Sequence, residues 1–416
     1  MHRSTALRAT VLATPLLLAA LAVPSGGLFR GAKFRDLHLY RQYGDALLSG
    51  HLPYRDVFVE YPPGAIPLFA GPSLAPDGAY DAIFKILMTL CCIGAIYCVC
   101  FALERSGSPA TAIWTAALFL ALSPIALGPV SLNTYDAWPA FLTVASVAAL
   151  VVGRGRLALG LLGVAAAAKL YAILLVPVAL VWLWREEGRR RVLQSLAVFA
   201  VVAAVLVVPW LALSPGGVWD SLDAQVGRGL HTESLGASLL LAGDRVGWYQ
   251  AHVVSTAPAI SRDLAGGFPR GIAAASSVLA VLAALAPAVV LLRRWVSPGL
   301  AFAASVAGFL AFTKVLSPQY VVWLIPLVPF GGAAAMLLLL AALALAQSWY
   351  FHYHDLWAIG PQAWTLLARN LVLVALYVLL LWKTRTPSSS KTSRQAGFWR
   401  SRTSAAAEGS GATRSA

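Results

Sequence analysis

Apolar runs of roughly 20 residues, enough to cross a hydrocarbon core of about 30 Å, recur along nearly the whole chain between short polar breaks. Reading these runs predicts spans near 8–28, 81–103, 110–127, 135–152, 192–212, 271–292, 299–313, 319–331, 333–351 and 363–382. Between the basic turns Gly153-Arg154-Gly155-Arg156 and Arg185 to Arg191 the pattern is interrupted by Lys169, Tyr171 and Pro177. A single span there would put the two basic clusters on opposite faces. Two short segments, 157–168 and 171–184, put both clusters on one face and leave Lys169 at the far turn. The pattern therefore predicts an all-α, polytopic transmembrane fold of 10–12 membrane segments. One membrane domain is expected over 1–386, with a large first outer loop at 29–80, and 387–416 reads as a disordered basic cytoplasmic tail.

Composition agrees with lipid as the solvent. With 59% hydrophobic and only 12% charged residues, the chain has too little polar surface to cover a soluble globule. The net charge of +14 sits largely in short loops beside apolar spans rather than on one soluble face, which argues against nucleic acid as a partner. If twelve segments put both termini inside, the inner pieces hold 18 of the 31 Lys and Arg but only 4 of the 17 Asp and Glu. That bias orients the inner loops to the cytoplasm. The basic and then apolar start, MHRSTALRATVLATPLLLAALAVPSGG, reads as an uncleaved first span in preference to a signal peptide. Either way the next segment is exported. Cys91, Cys92, Cys98 and Cys100 fall in one apolar segment without a polar second shell, so packing is expected and no metal or cofactor.

Polar residues collect on the predicted outer face. Asp36, Asp45, Asp56 and Glu60 occur in the first outer loop together with Arg35, Arg41 and Arg55. A purely connecting loop is usually shorter. Ordinary Arg–Asp pairing is the plain alternative for each acid. Glu60-Tyr61-Pro62-Pro63-Gly64 fixes a turn. Asp136 is either a first-turn helix acid or a site residue. Lys169 lies between apolar segments, where an ionisable group needs an anion or water. Arg228 to Leu235 reads as a solvated turn, and Lys314 as a boundary cation. His352, His354 and Asp355 form too weak a set for a metal. Cations at this boundary suit a lipid-linked phosphate, and a carboxylate beside them suits removal of a proton from a hydroxyl. The chain carries no nucleotide-binding glycine loop and no serine nucleophile elbow.

The blocks from Asp36 to Tyr40, Tyr43-Gly44, Gly50, Pro53-Tyr54-Arg55-Asp56 and Glu60 to Gly64 resemble glycosyltransferase family 87, the polyprenol-phosphate-mannose-dependent mannosyltransferases of actinobacteria. Asn133-Thr134-Tyr135-Asp136, Lys169-Leu170-Tyr171, Glu233-Ser234-Leu235 and Lys314 to Tyr320 are similar to further landmarks, and the likeness covers about 30–330. The resemblance implies a fold of the membrane glycosyltransferase C type, with Asp36 as the catalytic base and Glu60 as its rival. It implies Lys169 and Lys314 as donor phosphate ligands. Arg35, Tyr40, Arg55, Asp56, Tyr61, Asp136, Tyr171, Glu233, Gln319 and Tyr320 are the expected substrate-binding residues. The implied partners are a polyprenyl-phosphate-sugar donor, a glycolipid or glycan acceptor and membrane lipid. Transfer is expected on the extracytoplasmic face of the cell membrane. The alternatives are a transporter of a lipid-linked glycan, which would place polar groups near the midplane, and a non-catalytic envelope-assembly protein.

Overall fold

The computed structural model describes residues 4–26, 36–76, 78–256, 261–351 and 362–385. Arg35, His352, His354, Asp355 and the basic tail lie outside these residues. In chain order the helices are α1 (Thr5–Gly26), α2 (Asp36–Leu48), α3 (Ile66–Ser73), α4 (Tyr80–Arg105), α5 (Ala110–Leu127), α6 (Val130–Asn133), α7 (Ala137–Val151) and α8 (Gly155–Ala168). They continue with α9 (Val176–Glu187), α10 (Arg189–Leu213), α11 (Pro215–Val226), α12 (Leu235–Arg245), α13 (Gly267–Arg293), α14 (Pro298–Phe312), α15 (Ala333–Phe351) and α16 (Gln362–Arg385). Helices α1, α4, α5, α10, α13 and α16 are long and apolar enough to cross a membrane, and α7, α8, α14 and α15 are shorter apolar helices. The protein is a polytopic, predominantly α-helical membrane protein.

Predicted spans and helices agree within a few residues except at two places. The expected 171–184 segment begins as a 3-10 turn, Leu170–Leu175, before α9. The expected 319–331 segment is two 3-10 turns, Pro318–Leu324 and Val328–Gly331, because Pro318, Pro326 and Pro329 each remove a backbone donor that an α-helix needs. A small antiparallel sheet, unanticipated from the sequence, joins β1 (Leu230–His231), β2 (Val253–Thr256) and β3 (Ser261–Leu264) in the order β1-β3-β2. Strands this short carry no clear two-residue period, so the pattern gave no warning of them.

The bundle has two chemically different ends. At one, the Glu104 carboxylate accepts from the Thr5 amide (2.7 Å) and Ser4 hydroxyl (2.5 Å). Arg185 donates to the carbonyls of Leu291 and, at 2.6 Å, Arg294; Lys383 donates to the Gly331 carbonyl at 2.6 Å. Arg156 donates to Gln194 at 2.6 Å. These contacts gather the basic turns at a common end, where cationic side chains also suit the carbonyl-rich C-termini of α9, α13 and α16.

At the other end the first loop folds back onto the bundle. Tyr40 stacks on Phe69 with centroids 4.5 Å apart and meets Tyr61 and Tyr135 edge-on at 5.5 Å each. Such pairs add about 0.5–1.5 kcal/mol each beyond burial. Tyr54 takes a left-handed backbone (φ 69°) and donates its hydroxyl to the Tyr61 carbonyl at 2.6 Å, while its own carbonyl accepts from Ser214 at 3.0 Å. The glycine of the proline turn, Gly64, packs so closely that a Cβ there would lie 2.6 Å from the carbonyl carbon of Ala167. The turn is therefore seated directly on the end of α8, one residue before Ala168 and two before Lys169.

Candidate functional site

Lys169 is where α8 stops. Its backbone is extended (φ −153°, ψ 121°), which ends the helix and directs the side chain across the end of the bundle. The ammonium lies 3.1 Å from Asp136 Oδ1, and the indole N–H of Trp323 donates to the same oxygen at 2.7 Å. Asp136 stands at the N-cap of α7 but makes no capping bond; its carboxylate instead accepts from Lys169 and Trp323. Both members of the pair are buried, and Asp136 Oδ2 has no hydrogen-bond partner among the described residues. Four rings surround the ammonium: Tyr135 (4.4 Å to centroid), Tyr61 (5.3 Å), Tyr320 (5.5 Å) and Trp323 (5.7 Å). Aromatic faces partly replace the hydration that burial removes. Tyr171 stacks on Trp323 at 4.1 Å and shares a 2.9 Å hydrogen bond with Thr143, so it braces the cage from behind.

Asp36 begins α2, half-buried at the rim of this cage. Burial is the main reason its carboxyl is pushed up to about 6; Asp136 and Glu60 push the same way, and Lys169 opposes them. An acid held in that range is ionised at neutral pH yet basic enough to accept a proton. One turn on, Tyr40 is wholly buried; burial, followed by neighbouring Tyr61 and Asp36, holds its hydroxyl protonated well above the usual range.

Glu60 faces a different cation. Arg228 forms an ion pair with its carboxylate, and Gln225 donates to its backbone carbonyl at 2.7 Å. Arg228, expected from its sequence in a solvated turn, is instead largely buried and in electrostatic reach of Tyr320, Tyr61 and Asp263 as well. Its segment is tied on every side. Lys314 donates to the Val226 carbonyl at 2.7 Å, the Gly229 amide donates to Asp263 at 3.2 Å, and the His231 amide donates to the Lys314 carbonyl at 3.0 Å. His231 is buried, which lowers its pKa despite Glu233 and Asp263 nearby.

Beneath this segment Glu233 pairs with Arg369 at 2.9 Å in full burial, and Asn370 donates to Glu233 O at 3.1 Å and to Ser238 at 3.0 Å. Arg369 interrupts an otherwise apolar run in α16, and an intramembrane charge was the signal that could have found it. Glu233 thus anchors the loop from below.

Asp36, Glu60, Tyr40, Tyr61, Asp136, Lys169, Tyr171 and Tyr320 belong to one neighbourhood, and Gln319 is half-buried beside Tyr320. Arg55 and Asp56 pair with each other at 2.9 Å on the exposed loop, where the Arg55 bond and the Leu52 amide hold Asp56 down at about 2. Arg41 likewise pairs with Asp45 at 3.3 Å. Lys314 is half-buried with its ammonium on Val226; burial lowers its pKa and Asp263 opposes that. Among the described residues no group of His, Cys, Asp and Glu is arranged to hold a metal ion.

An apolar cavity bounded by Leu17, Cys91, Ile96, Leu120 and Ala140 adjoins the cage; Ala137 and Val322, which also line it, are the sequence neighbours of Asp136 and Trp323. These features define a class: a membrane protein whose carboxylates and cations converge at one end of the bundle, next to an apolar opening between its helices.

The sequence matches glycosyltransferase family 87 over residues 58–318, and the chain belongs to that family. It is a membrane glycosyltransferase. The matched stretch includes Glu60, Asp136, Lys169, Arg228, Glu233 and Lys314 and begins downstream of Asp36. Among curated proteins, none matches the chain.

Proposed function

We propose that the protein transfers a sugar, mannose by family resemblance, from a polyprenyl-phosphate donor to a glycolipid or glycan acceptor at the extracytoplasmic face of the cell membrane. The observation that carries this reading is the gathering of Asp36, Glu60 and Asp136 with Lys169 and Arg228 at the end of the bundle opposite the basic turns. The basic turns favour the cytoplasm, which leaves the site facing out. The adjoining apolar cavity suits a lipid-borne donor.

In the reaction, the acceptor hydroxyl oxygen bonds to the anomeric carbon as the bond from that carbon to the phosphate oxygen breaks, so configuration inverts. Asp36 accepts the hydroxyl proton and polyprenyl phosphate leaves. A carboxylate held at about 6 is matched to this task near neutral pH. Asp136, clamped by Lys169 and Trp323, keeps a fixed negative charge behind Asp36 and so sustains its basicity. Lys314 stands at the rim as a further cation for the phosphate. Lys169 can hold a phosphate only by sharing an ammonium that already faces Asp136.

The test is transfer by purified protein in lipid nanodiscs. Labelled polyprenyl-phosphate-mannose should pass its sugar to extracted envelope glycolipids, and a nucleotide-linked mannose should not. Transfer from the nucleotide alone, or passage of the intact lipid-linked sugar across a liposome without transfer, would contradict the proposal.

A further inference from the structure

Arg228 combines features that the Glu60 pair does not account for. A guanidinium has five N–H donors and stays charged at every relevant pH. Here one is directed to Glu60, while the Nε–H is buried and has no hydrogen-bond partner among the described residues. A buried unpaired donor on a charged group is costly to keep, by more than its paired equivalent would be. The side chain is not a loose surface arginine that could turn to water. Its backbone is fixed by the Gly229 amide on Asp263, the Lys314 ammonium on the Val226 carbonyl and the Glu233–Arg369 pair below. Tyr61 and Tyr320, both within electrostatic reach of Arg228, also face Lys169.

Lys169 and Arg228 therefore differ in how free their charges are. Lys169 faces a buried carboxylate that accepts from it and from Trp323. Arg228 faces Glu60, whose carboxylate keeps some exposure to solvent. We propose that Arg228 is the residue that binds the phosphate of the lipid donor, and that Glu60 is the anion that occupies it at rest. Donor phosphate takes the fork of Arg228, including the vacant Nε–H, and displaces the Glu60 carboxylate. The freed Glu60, no longer neutralised by Arg228, then adds more fully to the negative charge that already raises Asp36, so the base becomes more basic as donor binds. This rests on the reading of a lipid-phosphate donor given above.

The experiment measures binding of farnesyl phosphate to the full-length protein in nanodiscs, with farnesol and inorganic phosphate as separate arms. Wild-type protein should bind farnesyl phosphate more tightly than either arm. Arg228→Gln should weaken it roughly 10- to 100-fold, the range for one or two lost bonds to a charged group. Glu60→Gln, which removes the resting anion, should bind as tightly as wild type or more tightly. The double variant Arg228→Gln/Glu60→Gln separates a ligand from a merely structural pair: it should remain weak. Recovery of wild-type binding in the double variant would show that Arg228 only neutralises Glu60, and would overturn the proposal. So would undiminished binding by Arg228→Gln. Wild-type protein that prefers neither phosphate nor lipid would instead overturn the lipid-phosphate donor itself.

Discussion

Replacing Lys169 with methionine keeps most of the side-chain volume and removes the charge facing Asp136. At 3.1 Å the Coulomb attraction of the pair, with an effective dielectric of about 20, is about 5 kcal/mol. Burial also strips both ions of hydration, so the pair gains little over an apolar replacement, whereas deleting one partner strands the other. The stranded group is Asp136, fully buried, left with the Trp323 indole on one oxygen and no described partner on the second. The expected loss is about 3–5 kcal/mol, the range for breaking a buried pair from one side. At the lower end of the usual conversion this lowers the unfolding midpoint by roughly 5–10 °C. Removing both charges, in Lys169→Met/Asp136→Asn, should recover most of it. The assay is heat unfolding of the purified protein in detergent, followed by tryptophan fluorescence and by the monodisperse fraction remaining. Equal melting of Lys169→Met and wild type would refute the buried-pair reasoning. A double variant no more stable than the single would refute it equally.

Three further outcomes follow from the same geometry. Below about 6 the Asp36 carboxyl is protonated and cannot take the acceptor proton, so kcat/KM for transfer should rise with pH through a midpoint near 6; Glu60→Gln removes a charge that raises Asp36, so this limb should move to lower pH, and an unmoved limb would contradict the assignment. Gly64→Ala should destabilise the protein by about 1–3 kcal/mol in denaturation, because its Cβ would meet the Ala167 backbone at 2.6 Å, while Gly71→Ala, with nothing within 4 Å, should not. Reporter fusions after Arg191 or Lys383 should read cytoplasmic, and tags inserted near Pro76 or Gly243 should read external; an external Arg191 would detach the basic turns from the cytoplasmic face.

The spans were legible because lipid demands long apolar runs, and charged turns mark where they end. The same logic read Lys169 correctly as a turn between two short segments, since neither basic cluster could be moved to the other face without leaving the charge pattern unexplained. Surface pairs such as Arg41 with Asp45 were legible from spacing alone. Partnerships between distant segments were not. Nothing local in Arg228 distinguishes a solvated turn from a guanidinium lodged beside Glu60, 168 residues earlier in the chain. Trp323 on Asp136 is similarly remote, at a separation of 187 residues. Arg369 was the exception that sequence could have supplied: a charge within an apolar span requires a buried partner, and Glu233 was already singled out. The 3-10 turns after Lys169 and Ser317 show the remaining limit, since apolar periodicity measures lipid compatibility and does not resolve one helical pitch from another over so few residues.

The proposed transfer turns on Asp36 taking the acceptor proton. The direct measurement is single-turnover transfer from polyprenyl-phosphate-mannose by Asp36→Asn, with donor binding and heat unfolding measured on the same preparation. A positioned carboxylate base contributes typically about 10² to 10⁴ in rate. Turnover should therefore fall at least about a hundredfold while donor binding and the unfolding midpoint stay close to wild type. Near-normal turnover in Asp36→Asn, with transfer abolished in a folded Glu60→Gln, would contradict the claim and pass the role of base to Glu60.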